Sequence, residues 1–289
     1  MPEKTAFRFV DLKNRTVSAD LESVFPGWKP GDERLVILSP HDDDAILGAG
    51  HLILAAQAFG GSVHVVIYCN GCLGYSSIEQ KNSIVETRRT ETLAAYASVG
   101  VPADAIHRFW IDDLAVFGYL GWNLPDGTPG TCWRTVELLR KIGATRVLIP
   151  NGYREHVDHE AVSMTGVWDI PQVGDPIVAE IGFAEPVRSA MQYAVWGDFA
   201  PEDALLDGRD LSIRANTIVL CERKTADLLN SAIARWKSQE KIIAGLVRQR
   251  EARRYSSYMM EAYVRFDPRP VLDYAFYARL LDSEFGGEI

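Results

Sequence analysis

The segment SPHDDDAILGAG carries one histidine followed by three aspartates, at His41, Asp42, Asp43 and Asp44. Adjacent acidic groups repel one another unless a cation or water compensates their charge. Imidazole and carboxylate groups are ligands of borderline divalent cations, and His41 and Asp44 stand three residues apart across a turn, so both can contact one ion. The alternative is a helix cap, because carboxylates satisfy the free amides at a helix start. For Asp42 taken alone, the cap is the favoured interpretation.

A second polar segment, NGYREHVDHEAV, holds His156 and His159 three residues apart, with Asp158 between them. An HxxH pair alone is weak evidence, since two solvated histidines can share a helix face. Together, however, the two segments hold three of the six histidines of the chain. The combination predicts a metal site that takes ligands from both segments.

Both polar segments follow short apolar runs that are typical of buried parallel strands. Such runs occupy residues 34–39, 62–69, 107–111 and 146–150, and stretches with helical periodicity separate them. This alternation predicts an α/β fold with a Rossmann-like, doubly wound, mostly parallel sheet and helices on both faces. Ligands bind such sheets beyond the carboxyl ends of the strands, so we expect the two polar segments to face one crevice.

The remaining elements follow from the same periodicities. The helices between the runs are expected at residues 45–59, 83–99 and 132–142. The later elements are expected to be two strands at 189–196 and 216–221 and one long helix at 224–253. No linker divides the chain, which is therefore predicted to form a single domain over residues 1–289, with a core over about 34–170 and a C-terminal helical and strand extension over about 171–289.

Composition excludes several classes of protein. The 289 residues include 30 Lys+Arg against 39 Asp+Glu, a net charge of −9, whereas nucleic-acid binders need clustered cations. No apolar stretch approaches the roughly 20 residues of a membrane helix, and the N-terminus lacks a signal-peptide core, so a cytoplasmic protein without a membrane span is predicted. Four cysteines are too few for a disulfide scaffold in a chain of this length.

Three other groups of residues have competing interpretations. Cys69 and Cys72 form CNGC, which suggests a redox pair or half of a zinc site, but neither a helix start nor a second CxxC accompanies it, and a tight turn is favoured. Arg88 and Arg89 either support a helix surface or bind an anionic or hydroxyl-rich substrate. Three histidines without a chelating neighbour are assigned structural roles: His51, His64 and His107.

These motifs resemble those of the PIG-L (LmbE-like) N-acetylglucosaminyl deacetylase family. The resemblance rests on SPHDDD followed by GAG, on ETRRTE, on IDD after the third apolar run and on HVDH after the fourth, in that order and spacing. It is strong over residues 35–162 and continues weakly to Trp236, Ser238 and Gln239. HxDD combined with HxDH is fairly specific, whereas either half alone is not.

The resemblance implies a zinc-dependent hydrolase of linear amide bonds that removes an N-acyl group, with N-acetyl favoured, from an amino-sugar derivative. It implies one Zn²⁺ per chain, or Fe²⁺ in its place, held by three ligands: His41, Asp44 and His159. By the same resemblance Asp43 is the general base, His156 steadies the oxyanion and helps the leaving amine, and Asp158 orients or charges that histidine. Arg88 and Asp113 fall near positions used for sugar contacts.

Two positions depart from the family pattern. Asp42 stands where the family usually has proline, and it either places a negative charge beside the metal or caps the helix. Arg154 stands two residues before His156, where some relatives carry a tyrosine that polarises the acyl oxygen. We therefore include Arg154 among the candidate substrate contacts.

The chemistry of the residues agrees with this assignment. Zinc with three protein ligands leaves a position for water, whose pKa falls to about 7 when it is bound. Asp43 could take the proton while the water attacks an amide carbonyl, and His156 would face the developing negative charge.

Two alternatives are a zinc amidase acting on a non-sugar or glycoconjugate amide, and a non-catalytic sugar- or nucleotide-binding module. Acids in place of GxGxxG disfavour a nucleotide site, because they would repel a pyrophosphate. The expected partner is a small-molecule substrate rather than nucleic acid, and a homo-oligomer is left open.

Overall fold

The bounds of the elements come from a computed structural model that describes residues 2–200 and 213–286. The strands are β1 (Phe7–Asp11), β2 (Thr16–Ser18), β3 (Arg34–Ser39), β4 (Ser62–Cys69), β5 (Ile106–Ile111), β6 (Arg146–Pro150), β7 (Ser189–Tyr193), β8 (Thr217–Glu222), β9 (Arg254–Tyr255) and β10 (Tyr258–Phe266). The α-helices are α1 (Asp44–Ala58), α2 (Ile84–Ser98), α3 (Thr131–Ile142), α4 (Val157–Val173), α5 (Arg223–Ile233), α6 (Glu240–Arg250) and α7 (Tyr274–Phe285). None of the helices in the described ranges combines the length and hydropathy needed to span a bilayer.

The described strands form one mixed sheet in the order β2-β1-β8-β10-β7-β6-β3-β4-β5, with β9 paired to β10. Strands β7, β6, β3, β4 and β5 pair in parallel, and β3 lies between β6 and β4. Helices pack on both faces of these strands. The predicted α/β fold with a mostly parallel, Rossmann-like core is therefore confirmed, as are the four predicted core strands.

Strand β3 shows why a continuous apolar run predicts a central strand. Leu35 and Ile37 pack into the cluster that includes the buried face of α1, whereas Val36 and Leu38 pack into the cluster that includes α3 and α4. All four side chains are completely buried. Because helices cover both faces, neither set of alternate side chains reaches solvent and the polar–apolar alternation disappears.

The other half of the sheet is antiparallel, and of its strands only β8 was expected from the sequence. β1 pairs with β2 and β8, and β10 lies between β8 and β7, in each case antiparallel. The strand expected at 189–196 ends at Tyr193, and the strand expected at 216–221 spans Thr217–Glu222. The division into a core and a C-terminal extension stays a prediction.

The single long helix expected at residues 224–253 is wrong. Residues 234–239 interrupt it and separate α5 from α6. Within this interruption Trp236 is buried, and its indole nitrogen donates a hydrogen bond to Thr92 Oγ1 of α2 (3.1 Å). Burial of this ring takes the backbone out of the helical path, and the residues that follow it reach the carboxyl end of the parallel strands.

Helix α1, which follows β3, is kinked beside its GAG sequence. Ala49 has non-helical angles (φ −126°, ψ 19°). The amide of His51 donates to Glu261 Oε2 (2.7 Å). The carbonyl of Leu47, four residues earlier, accepts from Arg250 Nη1 (2.9 Å) and Arg253 Nη1 (3.0 Å). Side chains that insert into the helical ladder are an established cause of kinks, so the first turn of α1 is oriented separately from the rest of the helix.

The two glycines of GAG allow α1 to approach its neighbours closely. A Cβ at Gly48 would lie 2.5 Å from the ring of Tyr193 and 2.9 Å from the carbonyl oxygen of Ala194. A Cβ at Gly50 would lie 2.6 Å from Leu229 of α5. The absence of side chains at these positions therefore brings the first turn of α1 against the end of β7.

Candidate active site

A pocket of about 470 Å³ opens at the carboxyl ends of the parallel strands. Its walls come from the segments that follow β3, β4, β5, β6 and β7, from Arg88 of α2, and from two residues near the start of α6. The two polar segments contribute six lining residues: His41, Asp43, Asp44, Arg154, Glu155 and His156. The two segments therefore face the same pocket.

Three of the predicted site residues converge on one point of this pocket. Asp44 Oδ2 lies 3.1 Å from His41 Nδ1 and 3.1 Å from His159 Nε2. One ligand atom from each of the three side chains lies within 4.8 Å of the others. The folding of the chain thus brings together two nitrogens and one carboxylate oxygen from positions more than a hundred residues apart.

The far nitrogen of His159 is held by a carboxylate that the sequence did not indicate. Glu155 Oε2 accepts a hydrogen bond from His159 Nδ1 (2.6 Å), and both side chains are 0% exposed. Glu155 Oε1 accepts from three successive backbone amides, of Val195, Trp196 and Gly197 (2.9, 3.2 and 3.2 Å). Because Glu155 occupies Nδ1, Nε2 of the same ring faces Asp44.

The far nitrogen of His41 is held in the same way by Asp158. His41 Nε2 lies 3.3 Å from Asp158 Oδ2, which also accepts the backbone amide of Leu114 (2.8 Å). Burial raises the pKa of Asp158, but interactions with the side chains of His156 and His41 lower this pKa by more, so the net direction is down. The carboxylate is 3.4 Å from His156 Nδ1, so it contacts both histidines.

These three side chains fit a divalent cation. His159 Nε2 is buried and lies 3.1 Å from Asp44 Oδ2, but it makes no well-aligned hydrogen bond within the described residues. Burial lowers the pKa of His159, yet the neighbouring Asp44 raises it to about 9, and hydrogen bonds to Asp158 and Asp44 likewise hold the pKa of His41 well above its usual value. A cation would satisfy the orphaned nitrogen in place of a proton, and two imidazoles with one carboxylate suit Zn²⁺ or Fe²⁺.

Asp43 faces the pocket beside this group. It occupies the N-cap position of α1, yet its side chain makes no capping bond. Its Oδ1 lies 3.5 Å from Arg88 Nη2. Burial raises the pKa of Asp43 to about 6, with Arg88 acting in the opposite direction. A carboxylate with such a pKa can take up and release a proton near neutral pH.

His156 reaches the pocket from the start of α4. Its Nδ1 accepts the backbone amide of Asp158 (3.2 Å), and its side chain is 39% exposed. The ring meets that of His41 edge to face, with 4.9 Å between centroids. Since Nδ1 is engaged at the helix start, Nε2 is the atom available to a ligand.

The three predicted substrate contacts all line the pocket, but they differ in freedom. Arg88 is buried and bonded. Asp113 accepts the amides of Gly71 (2.8 Å) and Leu73 (3.0 Å), so it also holds the loop after β4. Arg154 is exposed, has a left-handed backbone (φ 52°) and makes no hydrogen bond or ion pair with the described residues.

The interpretation of Asp42 as a helix cap is wrong. Its carboxylate is completely buried and accepts hydrogen bonds from Arg88, Thr92 and Arg108 instead of the amides of α1. Arg108 was not singled out in the sequence, because its partner lies 66 residues away and no local pattern links them.

The CNGC segment forms the expected tight turn. Gly71 has a positive φ of 78°, and Asn70 Oδ1 accepts the amide of Cys72 (2.9 Å). Burial raises the pKa of the Cys69 thiol to about 12, which keeps it protonated.

The apolar part of the pocket lining, which sequence patterns did not reveal, consists of four exposed side chains: Leu73, Leu114, Trp196 and Ile242.

Comparisons with known proteins confirm the predicted resemblance. Residues 36–168 match the family described as PIG-L: GlcNAc-PI de-N-acetylase. A comparison with curated protein sequences found no match.

Several solved structures share the fold. The chain is similar to N,N'-diacetylchitobiose deacetylase from Pyrococcus horikoshii, with a TM-score of 0.64 and 16% identity over 82% of this chain and 84% of that chain. It is similar to GalB, the 4-carboxy-2-hydroxymuconate hydratase from Pseudomonas putida KT2440 (TM-score 0.60, 18% identity, 83% and 99% covered). It is also similar to the teicoplanin deacetylase Orf2 (TM-score 0.54, 18% identity, 81% and 99% covered). At these identities the likeness shows the fold alone.

Proposed function

We propose that this chain, whose residues 36–168 form a PIG-L domain, is a metal-dependent hydrolase that removes an N-acyl group, N-acetyl in the first place, from an amino-sugar derivative. Two of the similar structures are deacetylases and one is a hydratase. Because one fold accommodates both reactions, the activity has to be argued from the pocket.

The observation that carries the proposal is the orientation of His159. Its Nε2 is buried and lies 3.1 Å from the same Asp44 oxygen as His41 Nδ1, without a well-aligned hydrogen bond within the described residues. The opposite nitrogen of each ring is occupied by a carboxylate, Glu155 or Asp158. Metal-binding histidines have this arrangement, in which an outer carboxylate fixes the ring that binds the ion.

The residues around this group supply the acid and base chemistry. When bound by His41, Asp44 and His159, a zinc or iron ion supplies a Lewis acid that lowers the pKa of water. Asp43 faces the same space and takes the proton from the attacking water. His156 Nε2–H donates a hydrogen bond to the developing oxyanion, and Asp43 passes the proton that it took from the water to the leaving amine.

The charges around Arg88 favour a hydroxyl-bearing substrate over an anionic one at that position. The guanidinium already contacts Asp42 (2.9 Å), and Asp43 lies 3.5 Å away. A further anion beside Arg88 would be repelled by Asp43, whereas a sugar hydroxyl can accept a hydrogen bond from Arg88 Nη2. This supports a sugar at the pocket floor.

The test replaces Asp43 with asparagine, which keeps the size of the side chain and removes its basicity. With an N-acetylglucosamine derivative as substrate, kcat is expected to fall by about 10²- to 10⁴-fold while zinc content stays at the wild-type level. The matched control is Asp112→Asn, an acid after β5 that accepts a bond from Asn70 and does not line the pocket. Unchanged turnover in Asp43→Asn would remove the assigned base.

A second candidate is an amidase that acts on a larger glycoconjugate or non-sugar amide. The observation that favours it is the apolar part of the lining: Leu73, Leu114, Trp196 and Ile242. Initial rates on N-acetylglucosamine, on an N-acetylglucosamine glycoside with a large apolar aglycone and on an N-acetyl amine without a sugar, measured side by side, separate the two. A preference of tenfold or more for either of the last two would replace the simple amino sugar in the proposal. The cytoplasmic location and the homo-oligomer stay predictions.

A further inference from the structure

Asp42 lies between two buried arginines. Its Oδ2 accepts a hydrogen bond from Arg88 Nε (2.9 Å), and its Oδ1 accepts from Arg108 Nη2 and from Thr92 Oγ1 (2.8 Å). The side chains of Asp42, Arg88 and Arg108 are 0%, 5% and 7% exposed. Loss of the carboxylate partner of a buried guanidinium strongly destabilises the fold, because it leaves an unpaired buried charge. The second arginine also offsets the charge of Asp42, which is paired here with two cations.

The rest of the Arg88 side chain is confined by the loop after β4 and by the start of α6. A Cβ at Gly71 would lie 2.7 Å from Arg88 Cδ, and a Cβ at Gly74 would overlap Arg88 Nη1. Gln239 Oε1 accepts from Nη1 (3.4 Å). With Nε and Nη1 engaged, Nη2 is the nitrogen that faces Asp43 and the pocket.

We propose that Asp42 is the positioning residue for Arg88, that it directs Arg88 Nη2 to the substrate, and that Arg108 is the counter-charge that allows Asp42 to be buried. Asp42 does not line the pocket, so it acts through Arg88 and not on the substrate. The effect on substrate binding rests on the function proposed above. The orientation of Arg88 does not, and the two are measured separately.

The kinetic test is Asp42→Asn, which keeps the shape of the side chain and removes its charge. The asparagine cannot hold both Arg88 Nε and Arg108, so we expect KM for an N-acetylglucosamine derivative to rise by about tenfold or more, while kcat changes by less than about threefold. Zinc content should stay at the wild-type level, because no ligand of the proposed ion is altered.

The matched control is Asp11→Asn. Asp11 is also a buried carboxylate paired with an arginine, Arg265 (2.8 Å), but it lies on β1, away from the pocket. A loss of buried charge that acts only on stability would change both variants alike. The proposal requires that KM rise in Asp42→Asn alone. In a double-mutant cycle with Arg88→Lys, the second substitution should add little to the first.

A measurement without substrate tests the orientation itself. The Nε–H resonance of Arg88, identified by its absence in Arg88→Lys, should exchange slowly with solvent in the wild type, and this protection should be lost in Asp42→Asn and kept in Asp11→Asn. If Asp42→Asn does not fold, the double variant Asp42→Leu/Arg108→Met removes one cation together with the anion and leaves no acceptor at position 42, so it is expected to fold with the same loss of protection.

The possible results separate the positioning of Arg88 by Asp42 from the proposed hydrolase function. A protected Nε–H and an unchanged KM in Asp42→Asn overturn the positioning role. An equal rise in KM in Asp11→Asn overturns it too, because it shows a general effect on the fold. If the wild type hydrolyses no N-acyl amino sugar while the Nε–H protection depends on Asp42, the proposed function fails and the orientation of Arg88 by Asp42 stands.

Discussion

Two clusters of buried charged side chains lie at opposite ends of β3 and β6, and they differ in how completely their polar atoms are bonded. At the amino ends, Glu33 accepts hydrogen bonds from Arg146 Nε (3.0 Å) and Thr145 Oγ1 (2.6 Å) and pairs with Arg188 (3.0 Å). Within the described residues, no atom of these four side chains is buried without a partner. Hydrogen bonds from Arg146 and Thr145 outweigh the effect of burial and lower the pKa of Glu33.

In the cluster at the carboxyl ends, some side-chain atoms lack hydrogen bonds from the described residues. His159 Nε2 lies 3.1 Å from Asp44 Oδ2 but makes no well-aligned hydrogen bond among the described residues, and Asp43 makes no capping bond although it stands at a helix start. Buried polar groups are normally satisfied, so an orphaned one requires an explanation such as an absent ion. Buried charge alone therefore does not indicate a functional site, whereas polar atoms that lack hydrogen bonds beside a pocket do.

The largest effect is expected from removal of a ligand at the carboxyl end. His159→Ala should lose bound zinc and lower kcat/KM by at least about 10³-fold, because the remaining two ligands bind a cation weakly. His64→Ala is the control, since that ring contacts His107 (3.4 Å) outside the pocket. Full zinc occupancy in His159→Ala would erase the distinction between the two clusters.

The amino-end cluster should respond in stability and not in chemistry. Arg146→Met leaves Glu33 buried without its main partner, so the free energy of unfolding should fall by about 3–5 kcal/mol. Urea denaturation measures this loss. The folded protein should keep its zinc and its kcat; a drop in kcat larger than about threefold would show that the two ends are coupled.

Asp169 is a buried acid outside both clusters, and its environment predicts a stability that depends on pH. Asp169 of α4 is 0% exposed, its Oδ2 has no partner among the described residues, and burial raises its pKa from 3.8 to about 7. Because the pKa is raised in the folded state, the free energy of unfolding of the wild type falls as pH rises from about 4 to about 7. Over this range the unfolded state ionises the carboxyl readily, whereas burial opposes its ionisation in the folded state. Asp169→Asn should therefore be more stable by about 2–4 kcal/mol at pH 8 and little changed at pH 4.

Thermal denaturation at both pH values measures the effect of Asp169→Asn. The opposite sign holds for Glu33, whose pKa is lowered, so that its contribution is lost as pH falls. If Asp169→Asn were destabilising at pH 8, the orphaned oxygen would have a partner in solution.

The smallest effect is expected from the residue that orients His159. Glu155→Gln keeps an oxygen acceptor but loses the negative charge that faces His159 Nδ1 (2.6 Å). The affinity for zinc should fall by about 10- to 100-fold, with folding retained. Competition with a chromophoric chelator measures this. A wild-type affinity would assign Glu155 only to the three backbone amides of residues 195–197 that it accepts.

Much of the fold was readable from the sequence, because parallel strands covered on both faces leave a strong local signal. Strand β3 was predicted with its bounds for this reason. The antiparallel strand β10 was not, because its partly buried side chains, YMMEAYVRF, follow no continuous apolar run. The break between α5 and α6 depends on the contact of Trp236 with Thr92, 144 residues away, which no local period reveals.

The site divides in the same way. The two polar segments were visible because each is local and topology brings their strands together. The partners of Asp42 are 46, 50 and 66 residues distant. Glu155 contacts His159 only four residues away, but the backbone amides that fix its other oxygen lie 40 or more residues later. Sequence motifs therefore identified most of the polar residues that face the pocket, whereas Glu155, the apolar lining and the partners of Asp42 required coordinates.

The most direct test of the central claim is the number of divalent ions bound per chain. Equilibrium dialysis of the metal-free protein against Zn²⁺, followed by elemental analysis, should give one tightly held ion in the wild type. Asp44→Asn removes the charge that faces both imidazoles, so we expect this variant to lose the ion. Absence of a bound ion from the wild type, or equal occupancy in the two proteins, would contradict it.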